Sequence, residues 1–271
     1  EGSGDFETLA VVRAEADDPP DIYNFPQPGL MADFARDDFL IDLGQFLEDD
    51  YMKEQYNQTW IDLGTVDGTL YGVWHNADVK SLVWYPKDDF EAAGYEIPET
   101  WDELVALTDQ IVADGHTPWC IAIESSGATG WVGTDWVEDI MLRTAGGEKY
   151  DEWVAGDLPF DSPEVREAFR VMEEIWLNPD YVLGGTTGIL TTAFGDGPLP
   201  LFDEPPSCFL HRQASFILNF FPEGSVIGED VDYFYLPPID EANHGKPVLG
   251  SGSILSLGKD TPAGRATMEF L

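Results

Sequence analysis

Basic residues are scarce: 13 Lys and Arg stand against 52 Asp and Glu in a chain of 271 residues, a formal charge of −39. Such a surface repels phosphate groups and anionic lipid, so nucleic acid is excluded as a partner and electrostatic attachment to a membrane is disfavoured. The acids are spread along the chain rather than gathered in one block. That is the pattern of a heavily hydrated surface suited to a saline setting, where salt screens self-repulsion. Long apolar runs are absent too, since nothing approaches the ~20 residues of a membrane-spanning helix, and no membrane insertion is expected. There are two cysteines, Cys120 in "PWCIAI" and Cys208 in "SCFLHR". Both a pair of buried thiols and a single bridge, worth roughly 4 to 5 kcal/mol, fit those contexts. The bridge, which implies an oxidising compartment, is the reading carried forward.

The site motifs of several enzyme classes are missing as well. His75, His116, His211 and His244 are scattered, with no His-x-x-x-His and no paired-Cys spacing, so no metal site is expected. "GEDVDYF" has too few oxygen ligands for a calcium loop. "GSGS" around Ser251 has neither the Gly-Lys-Ser/Thr of a phosphate cradle nor the Gly-x-Ser-x-Gly of a nucleophile turn. No cofactor is expected. With so many acids, a carboxylate pair for glycoside hydrolysis can be drawn anywhere, and nothing isolates one pair; a glycoside hydrolase stays as the alternative to a non-enzymatic binder.

What is present is a globular chain, 43% hydrophobic, in which helical and extended patterns alternate. "ETWDELVALTDQIVADG" reads as a helix capped by Thr100 with Glu103 three residues on, and "SPEVREAFRVMEEIWLN" as one capped by Ser162 with Pro163 at its first position. "WCIAI" reads as a buried strand and "WVGTDWVEDIMLRTAGG" as the helix after it. The alternation predicts an α/β fold with mainly parallel sheets flanked by helices. Two extended crossings, "YGVWHNADVKSLVWY" and "KPVLGSGSILSLG", suggest two lobes with the chain leaving the first and later returning to it.

The order of "PPDIYNFPQPGLMADFA", "IDLGTVDGTLYGVWHNADVKSLVWYPKDDFEAAGYEIPETWDEL" and "LGSGSILSLGKDTPAGRATMEFL" resembles the family-1 extracellular solute-binding proteins of bacterial ABC-type carbohydrate importers. "TPWCIAIESSGATGWVGTDWVEDIMLRTAG", "YVLGGTTGILTTAFGDG" and "CFLHRQASFILNFFPEG" are similar to its α-glucoside-binding branch. The resemblance covers essentially the whole chain. It implies a two-lobed clamshell: residues 1–78 and 248–271 form lobe one and 79–247 form lobe two, with crossings near 76–81 and 246–250. It also implies an α-glucoside di- or oligosaccharide held in the cleft, delivery to the transmembrane permease subunits, a monomer, and a periplasmic or cell-surface-tethered location. By the same likeness the chain is expected to be a fragment lacking the first strand of lobe one and the last helices of lobe two.

Sugars offer hydroxyl rims and apolar C–H faces, so their sites combine aromatic platforms with planar polar side chains. In an extended run Trp74, Asn76, Asp78 and Lys80 share one face. Gln27 lies on the Pro-braced loop before a helix N-terminus. Glu124 ends a buried strand, and the loop beyond it delivers Trp131 and Asp135 at a helix start, the position where open α/β folds place ligands. His211 and Arg212 follow a short apolar run, Arg212 being either a salt-bridge anchor or a donor fork for sugar oxygens. Gly250, Ser251 and Gly252 mark the returning crossing as a place of close approach or a bulge.

Overall fold

The computed structural model describes residues 3–270. Two compact units divide the chain, Glu1–Asp78 with Ser251–Leu271, and Val79–Gly250. The first unit begins with α1 (Ser3–Glu15), β1 (Ile22–Phe25) and α2 (Pro28–Arg36), followed by α3 (Asp49–Gln55), α4 (Gln58–Leu63), the short hairpin strands β2 (Thr65–Val66) and β3 (Thr69–Leu70), and β4 (Val73–Val79). The second unit holds β5 (Leu82–Pro86), α5 (Lys87–Ala92), α6 (Trp101–Ala113), α7 (Trp131–Thr144), α8 (Gly146–Val154), α9 (Pro163–Trp176), α10 (Gly185–Thr191), β6 (His211–Arg212), β7 (Val231–Tyr235) and α11 (Glu241–His244). The chain then returns through β8 (Gly250–Leu257) and α12 (Pro262–Phe270) to the first unit.

The local signals act as the sequence reading expects. Thr100 and Glu103 close a reciprocal capping box on α6, and Ser162 caps α9 with Pro163 at its first position. Leu104, Leu107, Thr108 and Ile111 then form the buried stripe of α6. Gly146, at φ +81°, ends the run through α7, and α8 starts at once from the same glycine.

The expectation of mainly parallel sheets is overturned. In the first unit β8 lies between β1 and β4, and β1 pairs with it antiparallel, Tyr23 opposite Ser256 and Phe25 opposite Ile254. In the second unit β5 is central, antiparallel to both β6 and β7. Among the described residues, parallel pairing is seen as isolated bridges, Trp119 with Val182 and Leu210, Glu124 with Ala193, and Ile227 with Val231. The apolar run 118–123 is extended and buried as expected, but its partners each meet it for one residue pair before turning into helix or loop, so no parallel ladder grows. Alternation of patterns along a sequence indicates which segments are extended; it does not indicate which distant segment each one meets.

Tyr23, Phe25, Met31, Phe34, Trp74 and Ile254 form the aromatic core of the first unit. The larger core of the second gathers the inner faces of α6, α7 and α9 around Trp119, Trp136 and Trp176. A smaller cluster beneath β5 contains Trp84, Leu201, Ile217 and the disulfide-bonded pair Cys120 and Cys208, whose Cα atoms are 5.6 Å apart.

Candidate functional site

On the first unit, Tyr56, Asn57, Trp60, Trp74, His75 and Asn76 line a hollow of about 470 Å³ together with Gln55 and Ala77. The local sequence builds it. Asn57 caps α4 by accepting the Trp60 N–H at 3.1 Å, which sets the Trp60 side chain at the rim. Trp74, on β4, meets Trp60 edge to face, with ring centroids 4.4 Å apart and planes at 68°. The Trp74 indole N–H donates to the Trp60 carbonyl at 3.0 Å, and the Tyr56 hydroxyl donates to the Trp74 carbonyl at 2.8 Å. The Trp74 ring is therefore fixed against Trp60, with its indole N–H satisfied.

Polar groups stand beside these rings. Nε2 of His75 lies 3.2 Å from Asn24 Oδ1. Asn76 accepts the Ser253 N–H through Oδ1 at 2.6 Å and turns its amide nitrogen toward Asp78 at 3.4 Å. Gly252 is buried beneath this corner: a Cβ there would come within 2.2 Å of the Asn76 carbonyl oxygen and 2.9 Å of the Trp74 ring. The glycine is required by close approach rather than by a bulge. Gly250 is exposed and Ser251 half-buried. A second hollow, about 430 Å³, is lined by Asp42, Asp49, Lys53, Asp62 and their neighbours, with no aromatic side chain.

On β4, Trp74 and Asn76 line the hollow together, but so do His75 and Ala77 from the other face expected of an extended run, because the strand is uncovered here and its burial does not alternate. Lys80 lies beyond the end of β4, in the second unit, with its Nζ 2.6 Å from Asp135 Oδ1. Gln27 is exposed at the N-cap of α2, makes no side-chain cap bond, and is not among the residues of the hollow. Tyr56, Asn57 and Trp60 were missed; the available signal is "YNQTW", an Asn cap placing a Trp in the first turn of a short helix.

On the second unit, Glu124 is half-buried with Oε1 accepting the Ser126 N–H at 2.7 Å. Trp131 opens α7 and packs against Phe194 and Phe216, with centroids 5.2 and 5.8 Å away. Asp135 faces Lys80. Beside them Glu138 is pushed above its ordinary carboxyl value, chiefly by burial and partly by Asp135, while the Lys80 charge opposes the shift. Tyr150, which hydrogen-bonds Glu138, is raised by burial and by that carboxylate.

His211 and Arg212 are interior residues of this unit. The backbone carbonyl of Cys120 can only accept, so His211 donates Nδ1–H to it at 2.8 Å, and burial pushes the imidazole down to about 4, leaving it neutral near pH 7. Arg212 donates to Asp139 Oδ2 at 2.6 Å with neither side chain exposed. It is the salt-bridge anchor of the two readings, set by a carboxylate the sequence reading passed over. Asp139 also pairs with Arg143 and accepts the Ser81 hydroxyl at 2.8 Å. The signal was present as Asp135, Asp139 and Arg143 at spacings of four along one side of α7. Among the described residues no group of three or more His, Cys, Asp or Glu is arranged to hold a metal ion, and no helix is long and apolar enough to cross a membrane.

The sequence matches, over residues 1–271, the family model described as bacterial extracellular solute-binding protein. The chain belongs to that family. Its members are binding proteins of transport systems rather than catalysts, and they work in the periplasm or at the cell surface. This solute-binding protein is 51% identical over 271 residues to the osmoprotective compounds-binding protein GgtB of Synechocystis sp., covering 100% of this chain and 64% of that protein. It is 48% identical over 279 residues to the alpha-glucosides-binding periplasmic protein AglE of Rhizobium meliloti, covering 99% of this chain and 60% of that protein. The chain thus spans less than two thirds of the length of either relative. Among solved structures, a chitin oligosaccharide binding protein superposes with a TM-score of 0.78 at 20% identity, covering 97% of this chain and 63% of the other. Maltose-bound MalE3 of T. maritima superposes with a TM-score of 0.72 at 22% identity, covering 98% and 65%. At such identities the likeness is one of fold.

Proposed function

We propose that this chain is the ligand-binding part of an ABC-type sugar importer, that its cargo is an α-glucoside di- or oligosaccharide, and that it hands this cargo, as a monomer, to a membrane permease. The observation that carries the reading is the fixed Trp60–Trp74 pair in a hollow rimmed by Asn57, His75 and Asn76. A pyranose ring lays its C–H face on an indole and its hydroxyls against amide and imidazole groups, and both are offered here within about 470 Å³, inside the roughly 300–1,000 Å³ usual for small-molecule sites. The Trp74 indole N–H and the Tyr56 hydroxyl are already satisfied internally, so these rings act as platforms and the rim supplies the hydrogen bonds. On the second unit, the proposed contacts are Lys80, Glu124, Trp131 and Asp135. The α-glucoside assignment is supported by the likeness to the AglE protein, which is named for α-glucosides. The likeness to GgtB, named for osmoprotective compounds, supports small polar solutes more broadly.

Calorimetric titration with maltose, trehalose and sucrose, with chromatography of each mixture after prolonged incubation, tests the proposal. Saturable one-to-one uptake of at least one of the three, with the sugar recovered intact, is expected. Release of monosaccharide would make the chain a hydrolase, and no uptake of any of them would remove the α-glucoside assignment.

A further inference from the structure

Helix α7 carries Trp131, Asp135, Asp139 and Arg143 at successive spacings of four, which stacks them along one side of the helix. Two of these side chains hold consecutive residues of the segment by which the chain enters the second unit. Lys80 Nζ is 2.6 Å from Asp135 Oδ1, and the Ser81 hydroxyl donates to Asp139 Oδ1 at 2.8 Å. Neighbouring side chains of a regular strand point to opposite faces. Both reach the same helix here because the strand is interrupted: β4 ends at Val79 and β5 begins at Leu82.

The segment leaving the unit is tied to the same point. Ser81 Oγ accepts the Leu249 N–H at 2.9 Å, and the Lys80 N–H donates to the Leu249 carbonyl at 2.8 Å. Arg143 donates to the carbonyls of Leu236, Pro237 and Pro247 at 2.8, 3.0 and 3.3 Å, as well as to Asp139. Ser81, Asp139 and Arg143 are all wholly buried. Asp139 is therefore flanked by the two guanidiniums of Arg143 and Arg212, and one of its oxygens still orients a serine. A neutral pairing of charge would need neither a second arginine nor the hydroxyl; the extra groups fix geometry.

Resting on the reading that Lys80 contacts the sugar, we propose that Asp139 is a positioning residue: through Ser81 it holds Lys80 in place against Asp135 and so presents the ammonium group to ligand hydroxyls. Asp135 depends on that placement, because its Oδ2 is buried without a hydrogen-bond partner and Lys80 supplies the opposite charge at its other oxygen. Lys80 keeps a use for it. Its side chain is 17% exposed, and an ammonium has three N–H donors, of which Asp135 takes one.

Two readouts test this, the nitrogen NMR signal of the Lys80 ammonium, assigned by its disappearance in Lys80→Met, and the maltose affinity. In the parent protein the ammonium signal is expected to be sharp and protected from exchange. Ser81→Ala is expected to move it to the position of a free lysine and to weaken maltose binding about tenfold. Ser81→Cys, which keeps the volume with a poorer donor, is expected to fall between the two and serves if the alanine variant does not fold. A folded Ser81 variant with an unchanged Lys80 signal would overturn the proposal, whatever its affinity. If the parent binds no maltose, the sugar reading fails by itself, and the ammonium signal still decides whether Ser81 positions Lys80.

Discussion

The indole N–H of Trp74 donates to the carbonyl oxygen of Trp60 at 3.0 Å while their rings meet edge to face 4.4 Å apart. The pair locks the short helix α4, three residues past its Asn57 cap, to the strand β4, so the platform exists before any ligand arrives. A ligand that uses it loses little free energy to reordering of the protein.

His75 separates binding from folding. It is exposed, on the rim, with Asn24 as its side-chain partner. His75→Ala is expected to weaken maltose binding by about 1 kcal/mol, the size of one hydrogen bond, and to leave the thermal midpoint unchanged. Trp60→Leu removes platform area and is expected to cost about 1 to 3 kcal/mol in affinity. Calorimetry and thermal scanning on both variants check the contrast.

Gly252→Ala has no such separation. Its methyl group would meet the Asn76 carbonyl at 2.2 Å and the Trp74 ring at 2.9 Å, so the strand must shift. A loss of about 1 to 3 kcal/mol in unfolding free energy is expected, the scale of overpacking. Denaturant unfolding measures it.

Much of this was legible in the sequence, and the limits have physical causes. Helix ends were readable at Thr100 and Ser162 because a cap acts over three residues. Trp74, Asn76 and the Gly252 approach were readable because polar groups interrupt a strand pattern and a glycine stands where a strand should have a side chain. Sheet direction was not, since β1 meets β8 across most of the chain and nothing local to either strand encodes that partner. Trp60 was lost among nine tryptophans, and Arg212 could not be assigned to the interior until Asp139 was placed beside it.

His211 gives the protein an acid sensitivity whose sign follows from its burial. Its folded value, about 4, lies below the ordinary 6.5, so between those limits the unfolded chain takes up a proton that the folded protein refuses. The stabilisation is complete above about pH 6.5 and is lost as pH falls toward 4, with a slope of up to about 1.4 kcal/mol per pH unit. Urea unfolding of the parent and of His211→Gln across this range is expected to show a shallower dependence in the variant, although the variant starts less stable.

Salt is expected to raise stability. Exposed pairs such as Arg36–Asp33 and Arg166–Asp161 contribute little and are screened, whereas the repulsion among the unmatched acids of a chain at −39 is relieved. The thermal midpoint should climb several degrees between dilute buffer and about 1 M sodium chloride, at roughly 2 to 4 °C per kcal/mol. A midpoint that falls would mean that the exposed pairs outweigh the repulsion.

The central claim is that a sugar ring lies on the Trp60–Trp74 platform, and the most direct measurement is magnetisation transfer from the indole protons of these two residues to bound maltose. Strong transfer to the ring C–H protons, lost in Trp60→Leu, is the expected result. Maltose that binds the parent protein with no transfer from either indole would contradict the account.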